Sequence, residues 1–176
     1  GIQMADDTDT ASASKVGTMR YRTGTEYVEV DGVDLVTNGD FAADTDWTKA
    51  SGWTISGGTA NYDGVASIGD IQQSISFVVG KLYKYTFTIS SLTQGGVRVF
   101  IGNTVGITHS SNGTFTGYTT YASGSFLILQ ARSSFVGSID NVSVIEVTAE
   151  DASYADMCMQ TAASTYEWVN IVRNSY

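Results

Sequence analysis

The chain has 176 residues, with 9 basic and 18 acidic side chains and a formal charge of −9. Such an acidic surface repels phosphate backbones, which argues against nucleic-acid partners. One Cys excludes an intrachain disulfide or a Cys-cluster zinc site, and one His excludes a multi-histidine metal site and leaves a Ser-His-Asp arrangement only through His109. No apolar run approaches the roughly 20 residues that span a bilayer, so no membrane insertion is expected. Apolar residues are 42%, enough for a packed core, while charged residues are 15%, below the usual value of about 25%. Ser, Thr, Gly and Tyr fill the difference, and these are residues of turns and strands. The start, Met4-Ala5-Asp6-Asp7, is acidic where a signal peptide would be basic. Gly1 is an unusual native start and suggests a piece of a longer chain.

Residues 1–17 are small, polar and acidic, and read as an extended lead-in or linker. Residues 18–32 and 149–176 are denser in Tyr, Met and charge, and residues 33–148 are rich in Gly, Thr, Ser and Val. In chain order, the run TMRYR at 18–22 predicts a first strand. WTIS at 53–56 and ANY at 60–62 flank Gly57-Gly58, a hairpin turn signal. Residues 81–90 alternate strictly, with Tyr83, Tyr85, Phe87 and Ile89 on one face and Lys84, Thr86 and Thr88 on the other. Residues 96–101 place Val97, Val99 and Ile101 inward, Arg98 and Phe100 outward. Residues 125–130 and 138–147 give two more strands. YADMCMQ at 154–160 and YEWVNIV at 166–172 complete the set. Short strands with turn signals every 8–12 residues and only weak helical periodicity predict an all-β chain, a sandwich or barrel. The two flanks would pair as a small β stem, with the middle inserted in one of its loops.

The middle segment resembles the jelly-roll domains of carbohydrate-binding modules. The resemblance rests on LVTNGDF at 35–41, Trp47-Thr48, GWTISGG at 52–58, GKLYKYTF at 80–87 and GSIDNVSV at 137–144. It implies an antiparallel jelly-roll β-sandwich over residues 33–148 and a glycan as ligand. The flanks are similar to the tips of bacteriophage tail fibres and appendages, through MADD at 4–7, VGTMRYR at 16–22, MCMQ at 157–160 and STYEWVN at 164–170. That likeness implies a virion protein exposed on the particle surface, a homotrimer, and a role in host attachment as a receptor-binding protein.

Related jelly rolls hold a structural calcium where first and last strands meet, so the resemblance implies calcium at Asn38, Asp40 and Asp140. Ala42 stands where the pattern has Glu, so one carboxylate is missing, with Asp44 nearby as a substitute. Without a metal, the same residues build a turn. A glycan site pairs flat aromatic surface with planar polar groups. The outward residues Lys84, Arg98, Phe100, Gln130 and Arg132, with Tyr118 and Tyr121 from loops, form the candidate platform. The alternative is that Phe100 and Ile128 pack on a loop or neighbouring subunit. Trp47 and Trp53 could stack on sugar, although the same pattern in the resembling family is mostly core. No core strand carries the acid pair of a glycosidase, His109 reads as a solvated-loop residue, and Cys158 between Met157 and Met159 reads as buried; no enzyme is expected. Met157, Met159, Tyr166, Trp168 and Ile171 are more apolar surface than a small sheet buries alone. They pack around a threefold axis or within the chain. The whole reads as a glycan-binding virion protein, or else as a decoration or spacer domain that contacts other virion proteins.

Overall fold

A computed structural model describes residues 7–175, so Gly1, Met4, Asp6 and Tyr176 lie outside the described residues. The chain is all-β, and its one helical element among the described residues is a 3-10 turn, Ala13–Lys15. The strands are β1 (Met19–Asp34), β2 (Thr48–Lys49), β3 (Trp53–Ser56), β4 (Thr59–Asp63), β5 (Ile68–Ser74), β6 (Leu82–Ile101), β7 (Thr104–His109), β8 (Gly113–Thr120), β9 (Phe126–Ala162) and β10 (Thr165–Ser175). They form two compact units, one from Gly1–Val28 with Ala149–Tyr176, the other Glu29–Thr148.

The unit Glu29–Thr148 is an antiparallel sandwich built on two long, bent strands. The expected strands at 81–90 and 96–101 are the two arms of β6, and those at 125–130 and 138–147 both belong to β9. The first arm of β6 pairs with the later part of β9 (Tyr85 with Val144), and its second arm with the start of β9 (Val99 with Leu129). One layer therefore runs β2-β5-β9-β6-β7, the other β3-β4-β9-β6-β8. The crossings fall at Ser91–Gly95 and Ser133-Ser134, where φ is +52° at Ser91, +70° at Gly95, +53° at Ser133 and +55° at Ser134. Left-handed backbone turns the pleat and lets one strand serve both layers. Gly57 and Gly58, both at positive φ, close the β3–β4 hairpin as a two-residue turn requires.

The alternation seen in the sequence fills the core. Tyr83, Tyr85, Phe87 and Ile89 are buried, as are Val97, Val99, Ile101, Leu127 and Leu129. Trp53 lies 4.9 Å from Tyr62 and 6.1 Å from Phe135, ring centre to ring centre. Phe41 packs on Trp47 at 5.1 Å, so both Trp47 and Trp53 belong to the core and offer no face to a sugar. The layers approach closely enough that a Cβ on Gly69 would meet the Tyr62 ring and hydroxyl. His109, expected in a solvated loop, instead ends β7 and packs between Phe87 and Phe115, at 5.5 and 4.1 Å. It joins the outer strands of both layers, and burial lowers its pKa.

In the other unit, β9 is the central strand between β1 and β10. Register places Trp168 opposite Cys158, Asn170 opposite Asp156 and Arg173 opposite Tyr154, on one face of the sheet. The buried Asp156 carboxylate accepts hydrogen bonds from Arg20 Nε at 3.0 Å and Arg22 Nε at 2.7 Å. Arg20 lies over the Trp168 ring and Arg22 over Tyr154. The described residues of the lead-in, 7–17, make contacts with this face. Trp168 Nε1 donates to the Asp9 carbonyl, Arg20 Nη1 to the Asp7 carbonyl, and Lys15 pairs with Asp7 and Asp9.

Candidate functional site

The outer face of the β2-β5-β9-β6-β7 layer carries side chains that a packed sheet does not need. Alternation sends Arg98 and Phe100 of β6, Ile128, Gln130 and Arg132 of β9, and Asp70 and Gln72 of β5 to the side opposite the core. Register sets them in rows: Arg98 faces Gln130, which faces Asp70, and Phe100 faces Ile128, which faces Gln72. Arg98 Nε donates to Gln130 Oε1 at 3.0 Å, and Gln130 Nε2 donates to Asp70 Oδ1 at 2.8 Å. Arg132 Nη1 reaches the same Gln130 oxygen at 3.4 Å. The Arg98 guanidinium lies 4.9 Å over the Phe100 ring centre. Exposed Ile68, opposite Arg132, and exposed Phe126, opposite Ser74, flank the two rows. Two shallow hollows open beside them, one lined by Lys49, Asp70 and Gln72, the other by Gln72, Ser74 and Phe126.

This arrangement joins a flat aromatic to planar groups with both donors and acceptors, all fixed on strands rather than loops. It can hold a polyhydroxylated ring, with hydroxyls exchanging hydrogen bonds with Gln130, Asp70 and the guanidinium groups, and C–H groups resting on the Phe100–Arg98 shelf. Of the residues that the sequence suggests for a glycan platform, Arg98, Phe100, Gln130 and Arg132 come together here. Lys84 and Tyr118 do not. They face each other on β6 and β8 in the opposite layer, where Lys84 pairs with Glu29. Tyr121 is 6% exposed; it packs on Phe77, and its hydroxyl donates to the Gly124 carbonyl. It belongs to the buried core cluster and not to an outer face. Asp70 and Gln72 carry no mark in the sequence, because β5 is polar (IGDIQQS) and alternates only through Gly69, Ile71 and Gln73.

The implied calcium residues serve turns. Asn38 Nδ2 donates to the Ala43 and Thr45 carbonyls, and its Oδ1 accepts from Ala43 N. Asp40 caps Ala42 N, and Asp140 accepts from the Asn141 backbone and side chain. The first and last parts of the sandwich do meet, since Val142 N donates to the Gly39 carbonyl at 2.9 Å. Asp34, which no sequence motif singles out, caps Val36 and Val144 there. Among the described residues, no three His, Cys, Asp or Glu side chains are grouped to hold a metal ion.

The residues read as an oligomer interface divide between two faces. Trp168 and Tyr166 share the face of Cys158 and Gln160, while Met157 and Met159 point to the other side with Val169 and Glu167. Ile171 sits in a bulge between Asn170 and Val172. Met19, Tyr21, Met159, Ile171 and Val172 are exposed. No protein-family model matches the chain, and no curated protein matches its sequence.

Proposed function

We propose that the outer face of β5, β9 and β6 binds carbohydrate, and that the chain is a non-enzymatic recognition module of a virion surface, of the tail-fibre or appendage type, acting in host attachment. The observation that carries the reading is Arg98 stacked on Phe100 and held by Gln130, on the solvent side of a sheet whose core is already complete. An outward aromatic with fixed planar hydrogen-bonding neighbours contributes little to folding and suits a sugar ring. Glycoside hydrolysis uses two carboxylates across a cleft; this face supplies Asp70, whose carboxylate is taken by Gln130.

Weak single sites gain from repetition. A homotrimer joined through the exposed Met19, Tyr21, Met159 and Val172 would present three such faces and raise avidity without new contacts. An array of bacterial surface polysaccharides tests the reading, with Phe100→Ala and the wild type side by side. The expected result is retention of the wild type on at least one polysaccharide and loss for the variant, which stays folded. No retention on any glycan contradicts it.

The exposed Ile68, Phe126 and Val105 beside the site support a second reading, in which this face docks another virion protein as a spacer. In that case Phe100→Ala blocks assembly, and the wild type binds no glycan.

A further inference from the structure

The charge pattern narrows the sugar class, an inference that rests on the carbohydrate reading above. The chain has 9 Lys and Arg against 18 Asp and Glu, so carboxylates are in excess. Seven of the nine cations take one, from Lys15 with Asp7 to Arg173 with Glu26. Arg98 and Arg132 are the exceptions, and among the described residues no carboxylate lies within ion-pair reach of either. They are neighbours on the proposed site. Both donate to one oxygen, Gln130 Oε1, which holds two like charges side by side around a neutral acceptor. Asp70 is on the same row, but Gln130 Nε2 takes its Oδ1, and the amide stands between it and Arg98.

Two adjacent guanidinium groups repel, and an anion between them relieves that cost. Each offers a planar fork that matches a carboxylate in two parallel hydrogen bonds. We propose that the site takes an acidic sugar, a uronic-acid or sialic-acid type residue, with its carboxylate against Arg98 and Arg132 and its ring along the Phe100 shelf. The rest of the surface is acidic and repels polyanions, so a polyanion is drawn to this one place. The apolar shelf separates a sugar acid from a bare anion, since inorganic phosphate has nothing to rest on Phe100.

The test compares binding of the whole chain to polygalacturonate, alginate, hyaluronan and polysialic acid with binding to the carboxyl-reduced form of each, with dextran sulfate as a plain polyanion. At least one acidic polymer binds, and carboxyl reduction weakens it about tenfold to a hundredfold, the loss of one or two charge-assisted hydrogen bonds. Arg98→Gln and Arg132→Gln each reproduce that loss on the acidic polymer and leave the thermal midpoint unchanged. Phe100→Ala weakens the acidic polymer while dextran sulfate stays weak throughout. If the acidic and reduced forms bind alike, the acidic-sugar inference fails and the carbohydrate reading stands. Binding to neutral glycans on an array but to no acidic polymer likewise overturns the inference and leaves the carbohydrate reading in place. Dextran sulfate binding as tightly and ignoring Phe100→Ala shows charge attraction alone, which also overturns the inference. Binding to no glycan of any kind overturns both readings.

Discussion

Phe87 and Phe100 lie on the same strand with opposite duties. Phe87 is fully buried in the sandwich core, and Phe100 stands outside beneath Arg98. Phe87→Ala is expected to cost about 3–5 kcal/mol in unfolding free energy, and Phe100→Ala about 1 kcal/mol, measured by denaturant titration. Comparable losses would place Phe100 in the core and remove it from the site. Gly39 shows a different constraint. A Cβ there would fall on the Val142 carbonyl oxygen, where the loop after β1 meets β9. Gly39→Ala is expected to destabilise the sandwich by at least about 2 kcal/mol; an unchanged midpoint would show that the loop yields freely. Asp156 is the buried acid of the three-stranded sheet. Burial pushes its pKa up, but the hydrogen bonds from Arg22, Asn170 and Arg20 outweigh this and hold it below 3.8. Its contribution is therefore present above pH 3.8 and is lost as pH falls through the lower folded value. Asp156→Asn is expected to cost about 3 kcal/mol at neutral pH and to flatten that acid loss.

Among elements, the strongly alternating arms of β6 are plain in the sequence, because Tyr-x-Tyr-x-Phe-x-Ile and Val-x-Val-x-Ile can bury only one face each. Their fusion into one strand is not legible there. The bends at Ser91 and Ser133-Ser134 use positive φ in residues that carry no sequence mark of it. The same gap explains the site. Parity along β6 and β9 correctly sets Arg98, Phe100, Gln130 and Arg132 outward, but parity does not tell which layer a strand arm joins. Lys84 and Tyr118 therefore share the outward sense and not the face. β5, β7 and β8 are hidden in the sequence because Gly, Gln and Thr dilute their apolar positions. β7 and β8 also meet at His109. With its pKa lowered by burial, the folded state favours the neutral ring. The stability it lends is present above its ordinary pKa of 6.5 and is lost as pH falls through the lower folded value. Stability measured across that window should fall on acidification in the wild type, and His109→Leu should remove this component. An identical slope in the variant would contradict the packing of His109 between Phe87 and Phe115.

The whole molecule divides into two compact units, Glu29–Thr148 and the paired terminal segments. The sandwich has a closed core and an outer face that carries Arg98, Phe100, Gln130 and Asp70. The three-stranded sheet keeps Met19, Tyr21, Met159 and Val172 in solvent, more than three strands bury unaided. Light scattering should give three times the chain mass, and Met159→Lys with Val172→Lys should reduce it to one; a monomeric wild type contradicts the trimer. The most direct test of the proposed carbohydrate face follows backbone amide chemical shifts while an oligosaccharide retained on the array is titrated in. The account predicts shifts confined to residues 96–100, 128–132 and 68–72. Shifts centred instead on the opposite layer, around Thr86 and Thr116, or no shifts with any oligosaccharide tried, would contradict it.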